Sequence, residues 1–339
     1  MRIAIVTDAW RPQVNGVVRT YEQTRRELEA SGHEVLVLSA QGMRSVPCPS
    51  YPEIPIALFP GRSVMRALDE FAPHAVHVAT EGPVGAAGRH WCLRRHRPFT
   101  SSFHTQFPEY IRARVPVPVD WSYAWVRRFH RAAVRTLVPT ASQIARLRQR
   151  DFANLHLWPR GVDTAVFRPD DAVELGLPRP VCVYMGRVAV EKNIEAFLAL
   201  ELPGSKLVIG DGPQRTKLAA AFPDAVFVGM KQGRDLARHV AGGDVFVFPS
   251  LTDTFGVVLL EAMACGLAVA AFPVTGPIDV VQSGRTGVLD RDLRRAVLGA
   301  LALDPAPCIA YARSRSWRAA TDTFLSLLAP PGEAASATI

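Results

Sequence analysis

The chain has 339 residues, 48% hydrophobic and 21% charged, enough apolar material for two globular cores and too much for a disordered polymer. Its five cysteines are scattered and lack CxxC spacing, which argues for reduced thiols and against a disulfide frame or zinc site. The net charge of +8 is uneven: residues 1–164 carry 22 Arg, no Lys and 13 acidic residues, the rest 17 basic and 18 acidic, so the first half is suited to an anionic surface or substrate.

Met1 is followed directly by RIAIVTD, a strand-like run that turns polar too soon for a secretory leader. The polar loop after it ends in Asn15-Gly16, and a helix is expected from Gly16 to about residue 30, with a strand at 34–39. That is a βαβ unit and predicts a parallel, helix-covered sheet. The loop lacks the GxGxxG fingerprint, but Gly16 permits close backbone approach of a ligand at a helix start. Residues 47–60 read as a Pro-rich connection, 64–71 as a helix and 75–78 as a strand. The turn after that strand holds Glu81, and the strand at 99–103 is followed by His104. Gly16, Glu81 and His104 thus fall after strand C-termini, the edge where open α/β sheets bind ligands.

The segment 109–138 mixes Tyr110, Trp121, Trp125 and Phe129 with Arg112, Arg114, Arg127, Arg128 and Arg131. Asp120 is expected to N-cap a helix from Trp121, with Trp121, Ala124, Trp125 and Ala132 at helical spacing. Two readings stand: an interfacial helix on anionic lipid, or a surface helix packing its aromatics on its own domain. No RNP, zinc-finger or helix-turn-helix pattern accompanies the charge, so nucleic acid is not expected as a partner.

After Pro159-Arg160-Gly161-Val162-Asp163 and a Pro-rich link, the rhythm restarts. Strands are expected at 181–185, 206–209, 225–228 and 245–248, each followed by polar loop residues. Arg187 and Lys192 place two cations at a strand-to-helix switch, where a diphosphate could use Arg as a fork and Lys as a point charge. Residues 249–274, PSLTDTFGVVLLEAMACGLAVAAFPV, read as a turn rich in backbone amides, a short apolar helix carrying Glu261 alone, and a strand. Glu261, Gly266 and Pro273 interrupt the apolar run, so it does not read as a membrane span. An anion fits the start of such a helix. Asp290-Arg291-Asp292 matches a D-x-D metal motif, but helix capping explains it better. Residues 330–339 read as a disordered tail.

Taken in order, NGVVRT (15–20), SSFHTQ (101–106), RGVD (160–163), GRVAVEKN (186–193), GDGP (210–213), FVG (227–229), DTFGVVLLEAMACGLAV (253–269) and SW (316–317) resemble a GT-B glycosyltransferase of family 4, a retaining, nucleotide-sugar-dependent group. The most specific mark is the E-x7-E segment, in which Asp253 replaces the first Glu. The loops at 7–20 and 250–256 are most similar to GDP-mannose-dependent α-mannosyltransferases and to sulfoquinovosyl or glucuronosyl transferases acting on glycerolipids.

The resemblance implies an α/β, GT-B fold: two Rossmann-like domains facing across a cleft, an acceptor domain over 1–168 and a donor domain over 169–311, with a helix at about 312–328 packing back on the first. It implies donor binding by Gly16, Arg160, Gly229, Met230, Lys231, Thr254, Phe255, Gly256 and Glu261, the last holding the ribose. It implies catalytic roles for His104 and Asp253 at the hexose and for Arg187 and Lys192 at the diphosphate. Glu81, Tyr110, Arg112, Arg114, Trp121, Trp125 and Arg128 are the candidates for acceptor or membrane contact. The donor would be GDP-mannose or a UDP-hexose and the acceptor a lipid or glycan, with no metal and no cofactor. The chain would be cytoplasmic, peripheral on the inner face of the plasma membrane. An epimerase, a glycan phosphorylase and a non-catalytic nucleotide-sugar sensor remain the alternatives.

Overall fold

The computed structural model describes residues 1–13, 15–48, 51–112 and 118–329, the side chains of 51–53, 110 and 111 apart. The chain divides into two compact units, residues 1–159 with 318–339, and residues 160–317.

In the first unit the elements are β1 (Arg2–Val6), α1 (Gly16–Ala30), β2 (Glu34–Leu38), β3 (Ser45–Cys48), β4 (Tyr51–Ala57), α2 (Gly61–Phe71), β5 (Ala75–Val78), α3 (Pro83–Arg94), β6 (Thr100–Ser102), α4 (Phe107–Arg112), α5 (Val119–His130), β7 (Arg135–Val138), α6 (Ala141–Arg148) and β8 (Leu155–Leu157). Six strands form one sheet in the order β2-β1-β5-β6-β7-β8, every pair parallel. All their C-terminal ends therefore open on one edge. Successive side chains on a strand point to opposite faces, and β1 shows the consequence. Ala4 and Val6 pack in one apolar cluster with Val64, Leu68 and Trp91, and Ile3 and Ile5 in another with Tyr21, Leu28 and Trp158.

The connection expected over 47–60 contains an antiparallel ribbon, β3 with β4. Its prolines, which lack an N–H, read as a loop in sequence, but a two-stranded ribbon has an outer edge on each strand that needs no donor.

In the second unit the elements are β9 (Val181–Met185), α7 (Ile194–Leu198), β10 (Ser205–Ile209), α8 (Arg215–Ala221), β11 (Ala225–Gly229), α9 (Gly233–Ala241), β12 (Val245–Phe248), α10 (Val257–Ala264), β13 (Ala268–Ala271), α11 (Pro277–Val280), β14 (Gly287–Leu289), α12 (Leu293–Leu301) and α13 (Ala306–Arg313). The sheet order is β11-β10-β9-β12-β13-β14, again all parallel. Both faces are covered, so β9, β12 and β13 are buried along their whole length, which is why they read as unbroken apolar runs. The strand-to-helix switch after β9 is a 3-10 turn at Val190–Lys192 followed by the short α7. Asn193, at φ 51°, separates the two. The last helix, α14 (Trp317–Leu327), places Phe324 in the cluster of Ile3 and Ile5, and Ala320 O accepts from Trp158 Nε1 at 3.0 Å.

Close packing of α3 on the sheet makes one glycine obligatory. A Cβ on Gly85 would lie 1.8 Å from the Thr80 carbonyl oxygen. Gly85→Ala is expected to destabilise the chain by about 1–3 kcal/mol. Gly61→Ala, at a helix start with nothing within 4 Å, is expected to stay within about 0.5 kcal/mol of wild type. Denaturant unfolding of the two variants checks both.

Candidate functional site

On the ligand edge of the first unit, three polar groupings are built from different strand ends. The first is centred on Asp8, just after β1. Its carboxylate accepts from Thr80 Oγ1 (2.8 Å) and from the amides of Val84 (2.8 Å) and Gly85 (3.1 Å). These amides belong to the first turn of α3, whose N-cap residue Gly82 has no side chain to satisfy them. Burial raises the Asp8 carboxyl above its ordinary value, against the hydrogen bonds that pull it down. Asp8 was not foreseen; its only sequence signal is a polar residue directly after an apolar strand.

The second grouping surrounds His104, half-buried after β6. Its Nε2 lies 2.6 Å from Tyr21 Oη, which also lies 2.8 Å from His77 Nε2. His77 is fully buried on β5, on the face that carries Ala75 and Ala79, with Phe324 edge-on at 4.9 Å between ring centroids. The third grouping contains Glu81. It is not a surface residue but 5% exposed, with its Oε1 3.0 Å from His130 Nε2. His130 Nδ1 in turn lies 2.8 Å from Ser101 Oγ.

Gly16 opens α1 just after Asn15, whose Oδ1 accepts from the amides of Val17 and Val18 at 3.0 Å each. A Cβ on Gly16 would meet nothing within 4 Å, so packing makes no demand for glycine there.

On α5 the buried face is Tyr123, Val126, Phe129 and His130. Trp121 is 73% and Trp125 55% exposed, with Arg128 exposed beside them. Neither tryptophan is buried in its own unit, although the Trp125 ring lies 6.3 Å from that of Phe129. Asp120 is not the N-cap: that position is Pro118, and Asp120 instead pairs with Arg150 at 2.9 Å. The helix begins earlier than expected because Pro118 fixes the turn before it. Arg112 is exposed on α4; Arg114 and the Tyr110 side chain lie outside the described residues.

In the second unit the loops after β9 and β12 are tied together. Lys192 Nζ donates to both oxygens of Asp253, at 2.7 and 2.8 Å. Asn193 Nδ2 donates to Pro249 O at 3.1 Å, and the hydroxyls of Ser250 and Thr252 reach Glu191 O at 3.4 Å. Arg187, half-buried at the end of β9, has its carbonyl fixed by Tyr184 Oη at 2.8 Å. Thr254 and Phe255 lead to Gly256, whose φ of 79° is the left-handed turn a glycine adopts without strain. Glu261 is the one acid of α10 and is 3% exposed.

At the β11 end, Gly229 has φ 75°, Met230 is exposed, and Lys231 pairs with Asp235 at 3.1 Å. Arg160 is buried, and its neighbour Gly161 runs so close to the chain at 316–317 that a Cβ would lie 2.3 Å from Trp317 N. Asp292 caps α12, accepting from Arg294 N at 3.0 Å and from Arg295 N.

Among the described residues, no group of three His, Cys, Asp or Glu could hold a metal ion, and no helix is long and apolar enough to cross a membrane. Burial pushes the thiols of Cys182 and Cys308 up to about 11 and those of Cys92 and Cys265 up to about 12, which disfavours the thiolate at these four.

The Glycosyltransferase Family 4 profile matches residues 14–166, and the Glycosyl transferases group 1 profile matches residues 179–301. The chain is 33% identical over 316 residues to a GDP-mannose-dependent alpha-mannosyltransferase of Mycobacterium tuberculosis, covering 85% of this chain and 83% of that one. It is 32% identical over 309 residues to the sulfoquinovosyl transferase SQD2 of Arabidopsis thaliana, covering 81% of this chain and 61% of the other. Among solved structures, sucrose-phosphate synthase from Thermosynechococcus elongatus superposes with a TM-score of 0.76 at 20% identity, over 96% of this chain and 98% of that one; this likeness is one of fold. Two parallel α/β sheets, each gathering its polar loops on one edge, and homology over most of the length make the chain a member of glycosyltransferase family 4, with the GT-B fold.

Proposed function

We propose that the chain moves a hexose, mannose first, from a nucleotide-sugar to a lipid or glycan acceptor with retention of configuration. The observation that carries this reading is the bidentate pair of Lys192 and Asp253 on the same sheet edge as Arg187. It sets a cation for a phosphate beside a carboxylate for sugar hydroxyls. Arg187 and Lys192 neutralise the leaving diphosphate, Glu261 accepts from the ribose hydroxyls, and Asp253 and His104 orient the hexose. Backbone amides at 254–256 assist at the phosphates, as does Gly16, where packing asks for no glycine. The loop at Gly229, Met230 and Lys231 borders the base, and Arg160 contributes to donor binding.

In the bond-changing step the C1–O bond to the diphosphate breaks and a C1–O bond to the acceptor forms on the same face. The acceptor's hydroxyl proton goes to a phosphate oxygen, and the nucleoside diphosphate departs with the bonding pair. No protein nucleophile is required. Full activity in EDTA is the expected result; a loss restored by a divalent cation would contradict it.

GDP-mannose is favoured as donor by similarity to mannosyltransferases that are 33% identical. The exposed Trp121 and Trp125 beside Arg128 favour an acceptor at a membrane. Vesicle sedimentation is expected to show binding to anionic vesicles that weakens with salt and falls in a Trp121→Ser, Trp125→Ser double variant. Equal binding to neutral vesicles would contradict lipid docking.

The test of the activity is incubation with GDP-mannose and with UDP-hexoses, with and without lipid extract. Nucleotide release that needs acceptor supports transfer, donor interconversion would mean an epimerase, and binding without turnover a sensor.

A further inference from the structure

His104 sits in a short span between two anchors. On one side Phe103, fully buried, donates its amide to Leu137 O at 2.9 Å and so extends the pairing of β6 with β7. On the other side Gln106, also buried, is gripped by two side chains of α6. Arg146 Nη1 donates to its Oε1 at 2.9 Å, and its Nε2 donates to Gln143 Oε1 at 3.3 Å. Only His104 and Thr105 lie between the anchors. Two residues between fixed ends have little room to move, so the place of His104 depends on both ends.

The second anchor is a charged cluster. Gln143 and Arg146 are three apart on α6 and so share a face. The other terminal nitrogen of Arg146, Nη2, donates to Glu109 Oε1 on α4, and Tyr123 Oη on α5 donates to the same oxygen at 2.6 Å. Arg146 thus holds the residue before α4 and the carboxylate on α4 at once, a use suited to the planar fork of a guanidinium. Glu109 Oε2 is buried with no hydrogen-bond partner among the described residues, so this carboxylate depends on its Oε1 contacts and on the Arg146 charge. Backbone bonds stiffen the same stretch, from Phe107 N to Thr105 O at 2.8 Å and from Glu109 N to Gln106 O at 3.1 Å.

We propose that Arg146 is a positioning residue for the transfer reaction: by clamping Gln106 and Glu109 it fixes the segment that carries His104 at the ligand edge. Arg146 needs no contact with donor or acceptor for this and acts through the backbone of residues 104–106. The inference rests on His104 acting on the hexose, as proposed above.

The test begins with Arg146→Met, which keeps the apolar stem and removes the fork. It is expected to lower kcat by about 10- to 100-fold, the range for a misplaced group, while donor KM changes less than about twofold, because most of the donor contacts proposed above come from the second unit. The same variant leaves the partly buried Glu109 without its cation and so loses stability. The double variant Arg146→Met, Glu109→Gln removes the charge together with its partner. It is expected to recover most of the lost unfolding midpoint and little of the rate, because Gln106 still lacks its donor. Amide hydrogen exchange over residues 103–109 is expected to be faster in both variants, with the rest of the first sheet still protected. Arg146→Lys is expected to restore the rate only in part, since an ammonium is a point charge without the fork. A rate that returns with the midpoint in the double variant overturns the proposal, because Arg146 would then serve stability alone. So does a folded Arg146→Met variant with wild-type kcat or with unchanged exchange over 103–109. If Arg146→Met does not fold, the double variant and Arg146→Lys carry the same comparison. His104→Ala with undiminished kcat would overturn the role of His104 in transfer, while the exchange over 103–109 still decides the clamp.

Discussion

Replacing Arg187 with alanine is expected to lower kcat/KM by about 100-fold or more, the usual cost of deleting a donor aimed at charge that develops in the transition state. The loop that carries Arg187 is fixed before any ligand arrives, because Tyr184 Oη holds its carbonyl at 2.8 Å. Lys192 already gives its ammonium to both oxygens of Asp253, so its loss is expected to cost less than that of Arg187. Arg187→Lys is expected to recover only part of the rate, since an ammonium lacks the planar fork that matches two phosphate oxygens. Steady-state kinetics with saturating acceptor decide the matter. Activity within about threefold of wild type in a folded Arg187→Ala variant would take Arg187 out of the site.

Glu261→Ala is expected to weaken binding of the nucleoside diphosphate by about 10- to 100-fold, in the range of hydrogen bonds made by a charged group. Glu261 is 3% exposed on a helix where Leu259, Leu260, Ala262 and Met263 are fully buried, so the unfolding midpoint of the same variant is read beside its affinity. Titration calorimetry and thermal unfolding separate the possibilities. Unchanged affinity with a lowered midpoint would make Glu261 a structural acid.

Much of the architecture was legible along the chain. Strands such as Val245–Phe248 and Val181–Met185 are buried on both faces, and burial on both faces writes an unbroken apolar run that no helix of that length would need. The loops that follow them carry Arg187, Asp253, His104 and Gly16, and a parallel sheet puts all such loops of one unit on one edge. The ribbon at residues 45–57 was hidden by its prolines. The capping of the helix at residues 119–130 was misread because Asp120 is a good cap by type, while Pro118 sets the start and Arg150 takes the carboxylate.

The sequence by itself determined the fold class, the order of motifs and the residue types at each strand end, because periodicity and turn chemistry are local properties of the chain. Only the tertiary structure decided which of those residues meet. Lys192 and Asp253 are 61 positions apart and share two hydrogen bonds. Glu81 turns inward to His130, 49 positions away. Trp121 and Trp125 stay outside, because Tyr123, Val126 and Phe129 are the face that α5 buries. Asp8 has only its place after an apolar strand to mark it, and the Tyr21–His77 pair behind His104 carries no local signature. They are single polar residues in apolar surroundings, and their partners come from other strands and helices that only packing brings within hydrogen-bond distance.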